Sequence, residues 1–413
     1  MTPAGVEVDA LLAVGVVVGA ARACGAAASR FGQPRILGEI LAGIALGPGG
    51  LGLVWPDAFA ALFPADVVGA LEVLALLGVV LFMFLVGLEL DLTRLRGQGH
   101  RAVVISQASI VAPFAMGSAL GLALHPRLGG EADRLGFALF MGAAMAITAF
   151  PVLARLLQET GLSGSRIGVL CITCAAVDDV TAWCLLAAVV TVAGHTGPGD
   201  TVGLVMLAGV FLVAMLRLAR PALARLARVP LWCGVVVAFV AAWTTEQIGV
   251  HAVFGAFIAG VVMPRNPQAV GHMRAQLEPV VLTLLLPVFF VVVGLDTRID
   301  LLGSPYLIGV TVGIVAVAIA GKLGGSLLAA RLVGETWRDA TLIGVLLNTR
   351  GLTELVILSV GLRMGVITPV VFTVMVIMAL VTTFMAVPLV GLLRPSSDPG
   401  PAGDRALHVS PEP

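Results

Sequence analysis

Asp178 and Asp179 stand side by side in the run Leu170-Cys171-Ile172-Thr173-Cys174-Ala175-Ala176-Val177-Asp178-Asp179-Val180-Thr181-Ala182-Trp183-Cys184-Leu185-Leu186. The chain is apolar for about two helical turns on either side, so both carboxylates fall near the middle of a segment long enough to cross a bilayer. A carboxylate at that depth costs about 2.5–3.5 kcal/mol on insertion scales unless it is hydrated, paired or protonated. Two in succession also repel, so the doublet calls for a cation or a proton. The chemistry open to it is reversible binding of small positive ions.

The candidates for a counter-charge are few. Lys322 is the only lysine, set in Ala318-Ile319-Ala320-Gly321-Lys322-Leu323-Gly324-Gly325. It is too far from a loop to snorkel well, and its small neighbours imply a packed helix face, so a buried carboxylate partner is expected. Arg350 is the other basic residue inside an apolar segment. Glu354 follows it by four residues on one helix face, and mutual neutralisation with a structural role is the expectation for that pair. Glu39, Glu72, Glu89, Glu246 and His251 read as interfacial, helix-end or packing residues. Cys171 and Cys174 form a CxxC without two further ligands, and packing is the reading preferred to a zinc site.

Composition sets the frame. The chain is 59% hydrophobic and 12% charged, with mean hydropathy +1.06. A soluble domain carries about twice that charge. The fold class is therefore an all-α polytopic membrane protein. The 50 glycines suit close helix packing in lipid. A formal net charge of zero offers no nucleic-acid surface. The N-terminus lacks a basic n-region and a small-residue cleavage site, so the first apolar segment is expected to remain as an anchor.

The apolar runs number thirteen: about 9–28, 36–54, 67–90, 102–124, 135–158, 166–194, 201–219, 229–246, 248–264, 279–295, 305–331, 339–361 and 366–393. Residues 395–413, rich in Pro, Ser and Asp, read as a disordered cytoplasmic tail. Loops after odd-numbered segments hold most of the arginines, among them Arg22, Arg30, Arg35, Arg94, Arg96, Arg101, Arg155 and Arg166. Loops after even-numbered segments hold only Arg127, Arg134, Arg298 and Arg363. The positive-inside rule then puts the N-terminus outside and the C-terminus in the cytoplasm. Trp55, Trp232, Trp243 and Trp337 fall near segment ends, as an interfacial belt requires.

The chain also resembles itself. Gly38-Glu39-Ile40-Leu41-Ala42-Gly43 is echoed by Gly255-Ala256-Phe257-Ile258-Ala259-Gly260, and Phe84-Leu85-Val86-Gly87-Leu88 by Val291-Val292-Val293-Gly294-Leu295. Thr148-Ala149-Phe150-Pro151 in the fifth segment has its counterpart in Asn348-Thr349-Arg350-Gly351 in the twelfth. Each offset is seven segments, and an odd offset inverts the second copy, the mark of a secondary transporter. Pro151 removes a backbone N–H and disfavours helix at Phe150, so both matched segments should break mid-membrane and expose carbonyls and helix ends.

These stretches, with Gly249-Val250-His251-Ala252-Val253-Phe254-Gly255-Ala256-Phe257 and Asn348-Thr349-Arg350-Gly351-Leu352-Thr353-Glu354-Leu355, resemble the monovalent cation:proton antiporter superfamily over about residues 30–393. The resemblance is to its second (CPA2) branch, which includes bacterial sodium/proton antiporters, potassium efflux proteins and plant cation/H+ exchangers. It implies an NhaA-like antiporter fold, thirteen helices in a homodimer, with crossed broken helices. Residues 1–100 and 221–300 would be the scaffold that makes the dimer contact. Residues 101–200 and 301–394 would be the ion-transport core, and 201–220 the linker helix. Asp179 matches the carboxylate that binds the monovalent cation, Asp178 the one paired with lysine, here Lys322, and Thr148 the unwound stretch beside the ion. Pro151, Thr349, Arg350 and Glu354 would support the crossing. Efflux-type members have Gln in place of the first Asp and carry a C-terminal nucleotide-binding domain; this chain departs on the first count, and the second is expected to be absent.

The expected function is exchange of Na+ or K+ for protons by alternating access at Asp179, electrogenic and without a cofactor. The membrane expected is a bacterial inner (plasma) membrane. A sodium-coupled organic-anion symporter of a related inverted-repeat fold is the alternative, although its site would want neutral ligands rather than two aspartates. An enzyme is disfavoured, since no HExxH, GxSxG or phosphate-cradling loop occurs. A passive channel would betray itself by its turnover rate.

Overall fold

The computed structural model describes residues 3–89, 99–148, 150–193, 198–225, 230–249, 252–264 and 266–393, and its regular elements are all helical. In chain order they are α1 (Pro3–Arg30), α2 (Arg35–Leu46), α3 (Leu51–Val54), α4 (Pro56–Leu62), α5 (Ala65–Glu89), α6 (Gly99–Leu128), α7 (Arg134–Ala146), α8 (Phe150–Glu159), α9 (Arg166–Ala193), α10 (Pro198–Ala214), α11 (Arg220–Ala224), α12 (Leu231–Ile248), α13 (Ala252–Val262), α14 (Pro267–Val280), α15 (Leu286–Asp296), α16 (Pro305–Ile319), α17 (Gly325–Leu332), α18 (Trp337–Leu347), α19 (Leu352–Arg363) and α20 (Pro369–Leu393). Single π-helical turns splice α10 to α11, α14 to α15 and α16 to α17. Among the described residues, nine helical runs are long and apolar enough to cross a membrane. Arg94, Arg96, His251 and the 395–413 tail lie outside the described residues.

The sequence's punctuation decides where these helices stop. The run 135–158 divides into α7 and α8, with Pro151 at the second position of α8, where a missing N–H costs nothing. The run 339–361 divides into α18 and α19 around Asn348–Gly351. One boundary differs clearly from expectation. The segment read as 279–295 starts at Pro267, because Asn266 caps Gln268 N at 3.0 Å and the Arg274–Glu278 pair extends the helix beyond the apolar stretch. The α12–α13 junction is held by Glu246, whose Oε2 accepts Ala252 N at 2.7 Å, the helix-end role expected of it.

The helices sort into two sets by packing. In one, α1 and α5 pack with α2 and α15, and α13 packs on α5 and α12; in the other, α6, α7, α9 and α16–α20 lie against one another. Glycines let the first set close. A Cβ on Gly43 of α2 would sit 2.7 Å from Phe290 O of α15, and one on Gly87 of α5 would come within 3.0 Å of Gly260 Cα of α13. Between the sets, a crevice walled by α5, α13, α15 and α19 is lined by Val79, Val253, Phe289, Asp296, Ser359 and Arg363, among others. Trp55, Trp232, Trp243 and Trp337 are all exposed.

Candidate ion-binding site

Pro113 lies inside α6 and shapes the site. With no N–H at position 113, the Ser109 carbonyl four residues earlier lacks its helical donor. The break after Ala146 leaves the last carbonyls of α7 in the same condition. Lys322 answers both: its Nζ donates to Ser109 O at 3.0 Å and to Ala146 O. Lys322 sits in the π turn Ala320–Gly324, and Gly321 lets that turn approach Pro113, where a Cβ would lie 2.8 Å from the proline Cα. The small residues around the lysine thus bring its backbone against α6.

Asp178 meets this cation from α9. Its Oδ2 lies 3.6 Å from Lys322 Nζ, and both side chains are 0% exposed. Three hydroxyls donate to the carboxylate: Ser106 to Oδ1 at 2.5 Å, Ser109 to Oδ2 at 2.8 Å and Thr148 to Oδ2 at 2.7 Å. Thr148 reaches it from the gap between α7 and α8, so the interruption is what frees a donor there. A buried charge is tolerated only when it is hydrogen-bonded and paired, and here both oxygens accept hydrogen bonds.

The second buried pair caps the same helix end. Arg350 Nη1 donates to Ala144 O at 3.0 Å and Nη2 to Met145 O at 2.6 Å, while Nη1 lies 3.2 Å from Glu354 Oε1. Successive carbonyls of α7 therefore face arginine, arginine and lysine, where the helix dipole favours cations. The unwound backbone at Arg350 is satisfied by α20: Arg350 N donates to Thr383 Oγ1 at 3.1 Å, and that hydroxyl donates to Arg350 O at 2.7 Å.

Of the residues singled out in the sequence, Asp178, Lys322 and Thr148 converge, and Arg350 and Glu354 pair next to them. Thr349 does not join them; its Oγ1 donates to Leu346 O at 2.8 Å within its own turn. The side chains of Asp179 and Pro151 lie outside the described residues, although the backbones of both are helical. Ser106 and Ser109 were not anticipated. The available signal was their i, i+3 spacing shortly ahead of Pro113 in the helix. Cys171 and Cys174 are buried free thiols, and Cys174 Sγ contacts Ala102 O at 3.5 Å.

A different charged cluster closes the end of the bundle where α9 begins. Glu335, between α17 and α18, accepts both Nη groups of Arg166 at 2.8 and 2.6 Å and lies 3.6 Å from Arg101 Nη1. The bidentate Arg166 bond holds the Glu335 carboxyl below its usual range, with Arg101 adding to the effect. Arg166 also reaches Asp339 at 3.2 Å.

Comparison with known proteins places this geometry. The family described as sodium/hydrogen exchanger, transmembrane, matches residues 16–393. The chain is 42% identical to the Na+/H+ antiporter NhaS4 of Synechocystis, over 92% of this chain and 96% of that protein. It is 37% identical to cation/H+ antiporter 17 of Arabidopsis thaliana over 87% of this chain, but spans only 45% of that relative's length. A solved structure of the sodium proton antiporter MjNhaP1 from Methanocaldococcus jannaschii shares the fold, with TM-score 0.66, 14% identity, and coverage of 94% of this chain and 98% of that one.

Proposed function

The chain belongs to the transmembrane sodium/hydrogen exchanger family, and we propose from that premise that it exchanges a monovalent cation, Na+ or K+, for protons across a membrane. The observation that carries the site assignment is the dry Lys322–Asp178 pair. Asp178 accepts from three hydroxyls and is answered by a full positive charge, so it is poorly placed to take a hydrated cation. Its neighbour Asp179 is left as the carboxylate that takes a cation or a proton in turn. Two cations, Lys322 and Arg350, balance two carboxylates, Asp178 and Glu354. A further alkali cation therefore needs the charge of Asp179 itself.

The same reading assigns thirteen spans, an inverted repeat and a homodimer. Matched glycine contacts support the repeat. A Cβ on Gly38 of α2 would run into Cys24 O of α1, and one on Gly255 of α13 into Ala241 O of α12; Gly43 faces Gly294 just as Gly260 faces Gly87. The packing sets support a scaffold of residues 1–100 and 221–300 and a core of 101–200 and 301–394, with the crevice between them as the aqueous approach. Movement of the core against the scaffold then exposes the site to one side at a time. The N-terminus is assigned to the outside and the C-terminus to the cytoplasm, in a bacterial plasma membrane. An organic-anion symporter is not supported, since the family and the relatives described above are exchangers of inorganic cations and protons.

The test is proton flux in reconstituted vesicles on addition of Na+, K+ or Li+, with and without a voltage clamp. Asp179→Asn is expected to abolish cation-driven proton movement. Lys322→Gln is expected to slow exchange or make it electroneutral. Exchange by Asp179→Asn at the wild-type rate would overturn the assignment.

A further inference from the structure

Two buried acid–base pairs flank the end of α7, and their carboxylates are supplied very differently. Asp178 accepts from Ser106, Ser109 and Thr148, with Lys322 beside it. Glu354, in the first turn of α19 with its side chain 1% exposed, accepts no hydrogen bond at either oxygen. Its ion-pair partner is Arg350 at 3.2 Å, and both Nη groups of that arginine already donate to Ala144 O and Met145 O. Arg350 Nε is also without an acceptor, so the pair is close but poorly aligned.

We propose that Glu354 is a second proton seat of the exchanger, loaded and unloaded in the same cycle as Asp179; this rests on the exchange reading above. A buried carboxylate with empty lone pairs is held in its charged form only by Coulomb attraction, and a proton is the cheap alternative. The N-terminal end of α19 and Arg350 pull the other way, toward the anion. Opposed pulls of this kind suit a group that must gain and lose a proton within one cycle. Among the described residues, the charged groups that face it are few: Arg350, Lys322 from the π turn, and Asp178 through Lys322. Its packing neighbour α20 has no charged residue, and the one on α7, Arg134, stands at the far end. Position couples it to the site, because Arg350 and Lys322 cap consecutive carbonyls of one helix end. The same helix lines the crevice further on, at Ser359 and Arg363.

In the proton-loaded state, H+ from the facing aqueous side bonds to a Glu354 oxygen and cancels its charge, while Arg350 stays on its two carbonyls. After the core has moved and the cation enters from the opposite side, that O–H bond breaks, the proton leaves to that opposite side, and the restored carboxylate offsets Arg350. One proton is taken and one given, in addition to the one exchanged at Asp179.

The experiment counts protons released by the purified protein in weakly buffered detergent solution when saturating Na+ or K+ is added. Glu354→Gln is expected to release one proton fewer than wild type. The same number as wild type, or none, overturns the proposal. If the wild-type protein releases no protons, the exchange reading falls with it. Should Glu354→Gln not give monodisperse protein, cation-induced infrared difference spectra of the wild type with 13C-labelled glutamate decide the matter. Loss of a protonated glutamate carbonyl band on cation binding is expected; no glutamate band would refute Glu354 as a seat.

Discussion

The Lys322–Asp178 pair and the Glu335–Arg166 pair tie α9 to the same stretch of chain, one deep in the bundle and one at its rim. In the first, both partners are 0% exposed, and their hydrogen-bond partners among the described residues are hydroxyls and carbonyls. In the second, Glu335 is 3% exposed but Arg166 is 56% and Arg101 61% exposed, so water and salt reach the cationic side. The contacts at the rim are shorter, 2.6 Å against 3.6 Å, yet they matter less for free energy. The dry pair fixes a charge state deep in the bundle, beside the proposed ion site. The wet pair fixes a shape, fastening the starts of α6 and α9 to the α17–α18 turn.

The strongest way to break this contrast is to unbalance the dry pair. Lys322→Ala strands Asp178, Ser109 O and Ala146 O together, and should destabilise the protein by about 3–5 kcal/mol and abolish exchange. The double variant Asp178→Asn/Lys322→Met should recover most of that stability and none of the exchange, as judged by melting in detergent and flux in vesicles. Recovery of exchange would make the pair merely structural. Next in size, Thr148→Val removes one hydrogen bond to a charged acceptor and should cost about 1.5–3 kcal/mol, with slower exchange in vesicles. The smallest effect is at the rim. Glu335→Gln should cost at most about 1 kcal/mol, less as choline chloride is raised. Because the bridge holds Glu335 below its ordinary range, its contribution is complete above the ordinary carboxylate range and fades as pH falls through the folded value. Melting curves of wild type and Glu335→Gln should therefore converge in acid and separate toward neutrality.

Much of the buried site was legible because charge inside apolar sequence is rare and costly. A single lysine far from any loop demanded a carboxylate, and Asp178 supplies it. Arg350 and Glu354 announced themselves by i, i+4 spacing. Pro151 and Asn348–Gly351 marked both breaks because proline and clustered polar groups cannot sit in an unbroken apolar helix without partners. The rest was hidden for equally physical reasons. Ser106 and Ser109 look like small packing residues until Asp178 is known to face them. The capping of α7 by Arg350 and Lys322 depends on long-range approach that no local spacing encodes. Glu335 is one acidic residue in a loop, and only the fold brings Arg166 and Arg101 to it from far along the chain. The early start of the helix at Pro267 was missed because apolar runs report what lies in lipid, and that helix continues past it on polar residues.

The central claim, that cation and proton compete for one carboxylate, is tested most directly by the pH dependence of apparent cation affinity in wild-type vesicles. Competition predicts that in the acid limb each unit fall in pH raises the half-saturating cation concentration by roughly tenfold or more, with the maximal rate unchanged at saturating cation. A half-saturating concentration that stays constant while the maximal rate falls with pH would contradict it.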